Sequence, residues 1–293
     1  MIITKLNGIE KKSKKMSELI CTMLKKLHQT YLISNYYRTK FQNCPHINCN
    51  NKELSNKNIL DIVTVSFNNE DVISYQTKLL KRNILDPYFY TVVDNSTNPK
   101  QQRKIFNLCR RSNISYIKAP INPYTNNFPS ASHGSTLNWI YNNYLKPRKA
   151  NFFGIIDHDI FPIKSTRVIP HLKKQYIYGH LQERKGIWYL WAGFCFFNFN
   201  FMKDKKINFM PNDIADTGCQ NYYSIFTNIK KGEIYFPKHK YHKLREGNIP
   251  QSDMIEYIGD WMHTFNASDW KIIKNKNKKN QLVKNLLDKY LKK

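Results

Sequence analysis

Two acidic side chains, Asp157 and Asp159, stand one residue apart directly after the apolar residues 154–156. The apolar run indicates the end of a buried strand, and Pro162 limits any helix that could follow. Carboxylate oxygens are the preferred ligands of hard cations, and Mg²⁺ or Mn²⁺ in such sites usually shares its ligands with substrate phosphates. The pair therefore predicts a divalent-cation site, with an ordinary solvated turn as the alternative.

Alternating strands and helices lead up to this acidic pair. The pattern predicts strands at residues 59–68, 88–96, 114–118 and 152–156, and helical stretches that end at residue 82, span 99–111 and span 130–145. Strands that alternate with helices of this length predict a parallel sheet covered by helices. Ligands of such sheets bind at the carboxyl ends of the strands, which is where the acidic pair stands.

Four short motifs occur in an order and at spacings typical of one enzyme family. They are V-T-V-S-F-N-N at 63–69, V-V-D-N-S at 92–96, S-H-G with a following asparagine at 132–138, and D-H-D at 157–159. With these motifs the chain resembles the GT-A fold glycosyltransferases of the family 2 type. The resemblance is close over residues 59–165 and looser over 166–270. It implies an α/β protein with a GT-A, Rossmann-like and mostly parallel sheet flanked by helices.

The resemblance also implies a donor site for a nucleotide-diphosphate sugar, a UDP or GDP sugar, and a Mn²⁺ or Mg²⁺ cofactor. Carried over to this chain, nucleotide-sugar binding falls on Ser66, Asn68, Asp94, Asn95, Ser96, His133, Gly134, Asn138 and Asp157. The cation falls on Asp157 and Asp159. His263 is similar to the histidine of a C-terminal W-x-H stretch in related transferases, which implies a third cation ligand, with a purely structural histidine as the alternative.

Two later segments are expected on the acceptor side. The aromatic strand at 187–199 contains Trp191 and Gly193, and the acidic residues Asp213 and Asp216 precede a helical-looking stretch at 221–228. Transfer with inversion at the sugar carbon needs a base for the acceptor hydroxyl, and Asp216 is the first candidate, with Asp213 as its rival. A helix cap or loop anchor is the alternative for Asp216, and core packing is the alternative to a sugar platform for Trp191.

The positive charge is concentrated at the two ends of the 293-residue chain. Residues 1–58 and 271–293 each carry a net charge of +8, out of +26 for the whole. Both ends contain basic amphipathic helix candidates, which predict either binding to an anionic membrane surface or packing on the domain. We expect four parts: a helical extension at 1–58, a nucleotide-sugar-binding half at 59–165, an acceptor-binding half at 166–270 and an amphipathic helix at 271–293.

The remaining patterns define the expected function and location. The absence of a signal-peptide pattern and of a membrane-spanning apolar stretch, with six scattered cysteines, predicts a cytoplasmic protein, or one bound peripherally at the inner face of the membrane. We expect a metal-dependent glycosyltransferase that acts on a glycan, glycolipid or protein acceptor. A GT-A-like protein that binds a nucleotide or glycan without catalysis is the alternative. Nucleic-acid binding is disfavoured, because basic and aromatic residues are segregated.

Overall fold

The structure is a computed structural model of the chain. It describes residues 2–39, 46–47, 58–124, 128–244, 246, 254–265 and 276–292. Parts of the predicted N-terminal extension, at 40–45 and 48–57, lie outside the described residues. So do residues 266–275, where the predicted acceptor half meets the C-terminal helix.

The described residues form eight α-helices and eleven β-strands. The helices are α1 (Ile2–Arg38), α2 (Glu70–Asn83), α3 (Pro99–Ser112), α4 (Pro129–Ile140), α5 (Lys146–Arg148), α6 (Ile169–Gln175), α7 (Phe199–Met202) and α8 (Lys276–Lys292), with a π-helical turn (Tyr141–Leu145) between α4 and α5. The strands are β1 (His46–Ile47), β2 (Leu60–Ser66), β3 (Tyr88–Asp94), β4 (Ser115–Lys118), β5 (Phe152–Asp157), β6 (Ile160–Pro162), β7 (Ile177–Arg184), β8 (Ile187–Asn198), β9 (His239–Lys243), β10 (Met254–Ile258) and β11 (Trp261–His263).

Seven strands form one sheet in the order β1-β4-β3-β2-β5-β8-β7. The central strands β4, β3, β2 and β5 are parallel, whereas β8 is antiparallel to β5 and β7 is antiparallel to β8. The strand β7 therefore runs in the same direction as the centre, so five of the seven strands share one direction. The prediction of an α/β fold with a mostly parallel sheet is confirmed.

Both faces of this sheet are covered, as the apolar runs of its strands require. Neighbouring residues of β2 enter different cores, because successive side chains of a strand point to opposite faces. Val63 belongs to the core that contains Leu137 of α4, and Ile62 belongs to the core that contains Leu80 of α2. The buried faces of α2 and α4 thus fix the sheet from opposite sides.

A second, antiparallel sheet has the order β6-β11-β10-β9. The strand β6 begins directly after Asp159, and it pairs with β11 so that Ile160 stands opposite His263. This pairing joins the acidic turn to a segment about a hundred residues later in the chain. The local sequence pattern did not predict it.

Helix α8 packs on the domain. Leu287 is buried among Leu79 of α2 and Phe161, Ile255 and Met262 of the smaller sheet. The ammonium group of Lys279 donates a hydrogen bond to the carbonyl of Phe265 at 2.8 Å. Of the two alternatives for the C-terminal extension, packing on the domain is therefore the one observed, and its leucine face is covered.

Helix α1, unlike α8, leaves most of its large apolar side chains exposed. Its C-terminal end contacts α4, where the hydroxyl of Tyr36 donates to Thr136 Oγ1 at 3.3 Å. Over the preceding turns, several large apolar side chains are more than half exposed: Met16, Leu19, Ile20, Met23, Leu24, Leu27 and Tyr31. Among the described helices, none has an apolar stretch of the length that crossing a bilayer requires.

The helical stretch predicted at 221–228 is not a continuous helix. It forms two short 3₁₀ turns, Cys219–Asn221 and Phe226–Asn228, joined by further turns. Ile225 and Phe226 are buried, and the Phe226 ring lies 5.1 Å from that of Trp188 on β8. Packing against the sheet has overridden the helical pattern.

Candidate functional site

The last residues of three parallel strands lie side by side at the carboxyl edge of the central sheet. Ser66 ends β2, Asp94 ends β3 and Asp157 ends β5. Ser66 is in register with Asp94, and Asp157 is in register with Val65. Because β2 lies between the two other strands, this edge brings predicted nucleotide-binding and cation-binding side chains together.

The carboxylate of Asp94 is fully engaged within the protein. Its Oδ1 accepts hydrogen bonds from Ser66 Oγ at 3.2 Å and from the Ser96 backbone N–H at 3.0 Å, and its Oδ2 accepts from the hydroxyl of Tyr116 at 2.9 Å. The residue is only 1% exposed. These hydrogen bonds connect β2, β3 and β4, so Asp94 stabilises the arrangement of these strands at the edge of the sheet.

Asn68 connects the loops that follow β2 and β3. It adopts a left-handed backbone conformation with φ of 50°, which asparagine tolerates better than most residues. Its side-chain Oδ1 accepts hydrogen bonds from the backbone N–H groups of Thr97 and Asn98 at 3.1 and 2.9 Å. Its own N–H donates to Ser96 Oγ at 2.7 Å. The two loops therefore form one rigid polar rim.

The first turns of α4 complete this rim. Asn95 donates a hydrogen bond from Nδ2 to Ser132 Oγ at 3.1 Å. His133 Nε2 lies 3.2 Å from Asp157 Oδ1, and both side chains are about one-fifth exposed, at 20% and 23%. Partial burial raises the pKa of Asp157, the nearby His133 opposes that rise and the negative charge of Asp159 adds to it. Asp157 is thus a solvent-accessible carboxylate at which a positive charge is favoured.

The turn that carries the two aspartates is held from below by Gln76 of α2. Its Nε2 donates to the carbonyl oxygens of Asp157 and Ile160, both at 2.7 Å, while its Oε1 accepts from the hydroxyl of Tyr90 at 2.6 Å. No role was predicted for Gln76 from the sequence. Its signal was a polar residue at a buried position of an amphipathic helix, which requires a hydrogen-bond partner.

Asp159, His263 and Glu256 form a row of alternating carboxylate and imidazole groups. Asp159 Oδ1 lies 3.6 Å from His263 Nε2, and His263 Nδ1 lies 3.3 Å from Glu256 Oε2. Burial alone would lower the pKa of His263, but Asp159 and Glu256 outweigh it and the pKa is raised. The two neighbouring carboxylates therefore stabilise a positive charge at this imidazole.

The donor set of Asp157, Asp159 and His263 has the chemistry of a divalent-cation site. Two carboxylates with an imidazole suit Mn²⁺ better than Mg²⁺, which prefers oxygen ligands alone. The 3.6 Å between Asp159 Oδ1 and His263 Nε2 allows both atoms to ligate one ion. The Oδ1 of Asp157 is paired with His133 instead, so the three predicted ligands are not gathered around one point.

Three other residues do bring their possible metal-ligand atoms close to one another. Among the described residues, one set of three has a ligand atom from each member within 4.8 Å of the others: His180, His239 and Glu256. Burial lowers the pKa of His180 to about 4, against the opposing charge of Glu256. Burial raises the pKa of Glu256, but the hydrogen bond from His263 and the charges of the histidines outweigh it and the pKa is lowered. None of the three residues was predicted from the sequence, since they come from separate strands.

Gly134 and Asn138, predicted to bind the nucleotide sugar, face a different segment. A Cβ added at Gly134 would lie 2.6 Å from the carbonyl oxygen of Phe209, so only glycine permits this approach. Asn138 accepts a hydrogen bond from the Phe209 N–H at 2.8 Å and donates to Asn208 Oδ1 at 3.0 Å. Both residues hold the segment that leads to Asp213.

Trp191 and Gly193 lie beside the row formed by Asp159, His263 and Glu256. The indole of Trp191 folds over Gly193, where a Cβ would lie 2.3 Å from the ring. Its ring centroid is 4.9 Å from that of His263 and 6.1 Å from that of His180. Trp191 is partly exposed, unlike Phe194 and the other buried aromatic residues of β8. A partly exposed indole next to these polar groups suits contact with a sugar face.

Asp213 and Asp216 are both exposed, on a loop next to β8. The carbonyl of Thr217 accepts a hydrogen bond from the Ala192 N–H at 3.2 Å, which fixes the loop beside Trp191. Asp216 Oδ1 accepts from the N–H of Thr217 at 2.7 Å and from its Oγ1 at 3.1 Å. Asp216 therefore anchors its own loop, as one of the two alternatives expected.

Comparison with known proteins adds no identity to this geometry: no family model matches the chain, and no curated protein is significantly similar to it.

Proposed function

We propose that this protein is a metal-dependent glycosyltransferase with a GT-A type fold, which transfers a sugar from a nucleotide-diphosphate sugar to a glycan, glycolipid or protein acceptor. One observation carries the proposal. The ends of three parallel strands bring Ser66, Asp94 and Asp157 together, and Asp159 lies in the turn that follows, 3.6 Å from His263 of β11. Donor nucleotides of open α/β sheets bind at such an edge.

In this proposal the polar rim binds the nucleoside. Asp94 fixes the strand ends, while Asn68, Asn95 and Ser96 offer side chains around the base and ribose. Asp159 and His263, which lie close enough to ligate one ion, would hold Mn²⁺, and Asp157 would join them by turning from His133. The ion would neutralise the charge of the leaving diphosphate. Asp157, which is the more exposed of the two aspartates, is the carboxylate that faces the donor.

The acceptor is proposed to bind between Trp191 and the loop of Asp213 and Asp216. The indole would pack on the C–H face of a sugar ring. A carboxylate oxygen of Asp216 would take the proton of the attacking acceptor hydroxyl, as inversion requires. Asp213, exposed on the same loop, is the rival for this role.

The hydrogen bonds of Asp216 favour a second candidate function. Because its Oδ1 is already engaged by Thr217, the residue could serve the loop alone. The protein would then bind a nucleotide or a nucleotide sugar without transferring the sugar. Nucleotide binding with no turnover on any acceptor would identify that case.

Isothermal titration of UDP, GDP and CDP, with and without Mn²⁺, tests the donor site. We expect one of the three to bind, more tightly with Mn²⁺, because the diphosphate and the carboxylates share the ion. Asp159→Asn should remove the Mn²⁺-dependent gain in affinity. Asp260→Asn is the matched control: it changes an aspartate in the turn between β10 and β11, 46% exposed, and should leave the gain intact.

If the wild-type protein binds none of the three nucleotides in Mn²⁺, the proposed function is wrong. If Asp159→Asn retains the full gain, the cation is not held by this aspartate. Circular dichroism of each variant shows whether the fold is retained.

A further inference from the structure

The group formed by His180, His239 and Glu256 connects the two sheets. His180 comes from β7 at the edge of the seven-stranded sheet, whereas His239 and Glu256 come from β9 and β10 of the four-stranded sheet. His239 Nδ1 lies 2.9 Å from Glu256 Oε1, and His180 Nε2 lies 3.6 Å from the same oxygen. One carboxylate oxygen therefore faces two imidazoles that belong to different sheets.

His180 is the unusual member of this group. It is 1% exposed, and neither of its ring nitrogens has a hydrogen-bond partner among the described residues. The distance of 3.6 Å to Glu256 exceeds a normal hydrogen bond. A buried polar group without a partner destabilises the folded state, so a folded protein normally supplies a partner for it.

An irregularity in the pairing of β7 with β8 sets the direction of the His180 side chain. The pairing of β7 with β8 is shifted in register between Gly179 and Leu181, which is the position of His180. Such irregularities re-aim one side chain relative to the regular alternation of a strand. The shift therefore provides an observation, independent of the spacing of the ligand atoms, that His180 is aimed at Glu256 and His239.

We propose that His180, His239 and Glu256 bind a divalent transition-metal ion of the zinc class, at a site separate from the one proposed for Asp157, Asp159 and His263. Zn²⁺ holds nitrogen and oxygen ligands at about 2.0–2.2 Å in a tetrahedron, which places them about 3.4 Å from one another. The observed separations of 2.9 and 3.6 Å lie on either side of that value. Two imidazoles with one carboxylate are typical ligands of Zn²⁺ and unusual ones for Mg²⁺.

The site is accessible from one side. The side chain of His239 is 46% exposed, whereas those of His180 and Glu256 are 2% and 3% exposed. An ion could enter past His239, and a water molecule would complete the tetrahedron on that side. The ion would link the two sheets.

The proposed ion would also act on the neighbouring site. Glu256 uses Oε1 toward His180 and His239 and Oε2 toward His263 Nδ1. A carboxylate fixed by a metal is a rigid hydrogen-bond partner, and such partners orient ligating histidines. The zinc-class ion would thereby fix the direction in which His263 Nε2 faces Asp159.

Zinc titration of the chelator-treated protein, with no nucleotide present, tests the site. We expect one Zn²⁺ per chain, an increase in melting temperature on binding, and a tetrahedral visible spectrum with Co²⁺. Glu256→Gln and His239→Gln should each weaken binding at least about tenfold, since even the loss of a residue that only orients a metal ligand costs about 10–100-fold. His180→Gln should do the same where it folds.

His242→Gln is the matched control, because His242 lies on the same strand as His239, is exposed and points to the opposite face. It should bind Zn²⁺ like the wild type. Because the side chain of His239 is 46% exposed, His239→Gln should retain the fold, so this variant decides the question if His180→Gln unfolds.

Two results would overturn the proposal. One is a wild-type protein that binds no Zn²⁺, in which case the three residues form an imidazole–carboxylate network only. The other is binding that survives His239→Gln and Glu256→Gln but is lost in Asp159→Asn, which would assign the ion to the aspartate turn. Because nucleotide is absent throughout, neither result depends on whether the protein transfers sugars.

Discussion

Asp94 and Asp157 end β3 and β5, the two strands that flank β2, yet their surroundings differ. Asp94 accepts three hydrogen bonds from Ser66, Ser96 and Tyr116 and is 1% exposed. Asp157 remains 23% exposed beside His133. The sequence predicted a role in nucleotide-sugar binding for both, and the geometry separates a residue that shapes the site from one that can face a ligand.

Asp94→Asn should destabilise the protein. The amide replaces one acceptor oxygen with a donor, which leaves a buried partner unsatisfied and should lower the free energy of unfolding by about 1–3 kcal/mol. Nucleotide affinity in chelator should fall with it, because Asn95 and Ser96 follow the same strand end. Urea unfolding and isothermal titration measure the two effects. The exposed Asp213→Asn is the control for stability. An Asp94 variant that loses affinity at unchanged stability would show a direct contact with the ligand.

Asp216→Asn should separate catalysis from loop structure. Asparagine keeps an oxygen that can accept from Thr217 but cannot take a proton, so transfer should fall by about 10²–10⁴ while donor binding is retained. Initial rates with a soluble acceptor and titration of the donor are the measurements. Near-normal rates would move the base to Asp213, for which Asp213→Asn is the paired variant.

Local patterns in the sequence predicted the elements that form locally. The strands at 59–68, 88–96, 114–118 and 152–156 correspond to β2, β3, β4 and β5, because β-branched runs bounded by polar turns carry their own signal. The small sheet was not predicted, since β6 and β11 have three residues each and pair across about a hundred residues of sequence. The group of His180, His239 and Glu256 could not be predicted for the same reason: no local spacing relates three residues on three such strands.

Helix α8 is expected to contribute to stability. Leu287→Ala should lower the free energy of unfolding by about 2–5 kcal/mol, because Leu287 is 3% exposed and packs on α2 and the small sheet. Leu282→Ala, on the same helix but outside that cluster and partly exposed, should have a smaller effect. Denaturant midpoints compare the two. If the two variants lose the same free energy of unfolding, the packing of α8 on the domain does not contribute to the stability of the protein.

The two basic ends of the chain differ in how their apolar faces are covered. The leucine face of α8 is covered, whereas the apolar face of α1 between Met16 and Tyr31 is exposed. Any peripheral attachment to an anionic membrane is therefore expected through α1. Lysines near such a surface each contribute about 1 kcal/mol, and the contribution decreases as salt screens it.

Vesicle co-sedimentation tests this expectation. The wild-type protein should bind anionic vesicles at low salt, and Leu24→Glu with Leu27→Glu should abolish binding because the apolar face can no longer insert. Ile121→Glu, which changes a single side chain that is 96% exposed elsewhere, is the control. The face is instead a contact between two copies if the wild-type protein does not bind vesicles and elutes as a dimer in size-exclusion chromatography. In that case the double variant should elute as a monomer.

The pairing of β6 with β11 has a consequence for the order of events during synthesis. Asp159 leaves the ribosome about a hundred residues ahead of its partners, and Thr264 closes a backbone contact to it across 105 positions. Contacts at such separation form late, after the closure of a long loop. The strand-end half can fold early, whereas the joint between the aspartate turn and His263 must wait for the last third of the chain. A nascent chain therefore lacks the complete set of residues proposed to bind the cation, and any activity that depends on them begins only after the small sheet has closed.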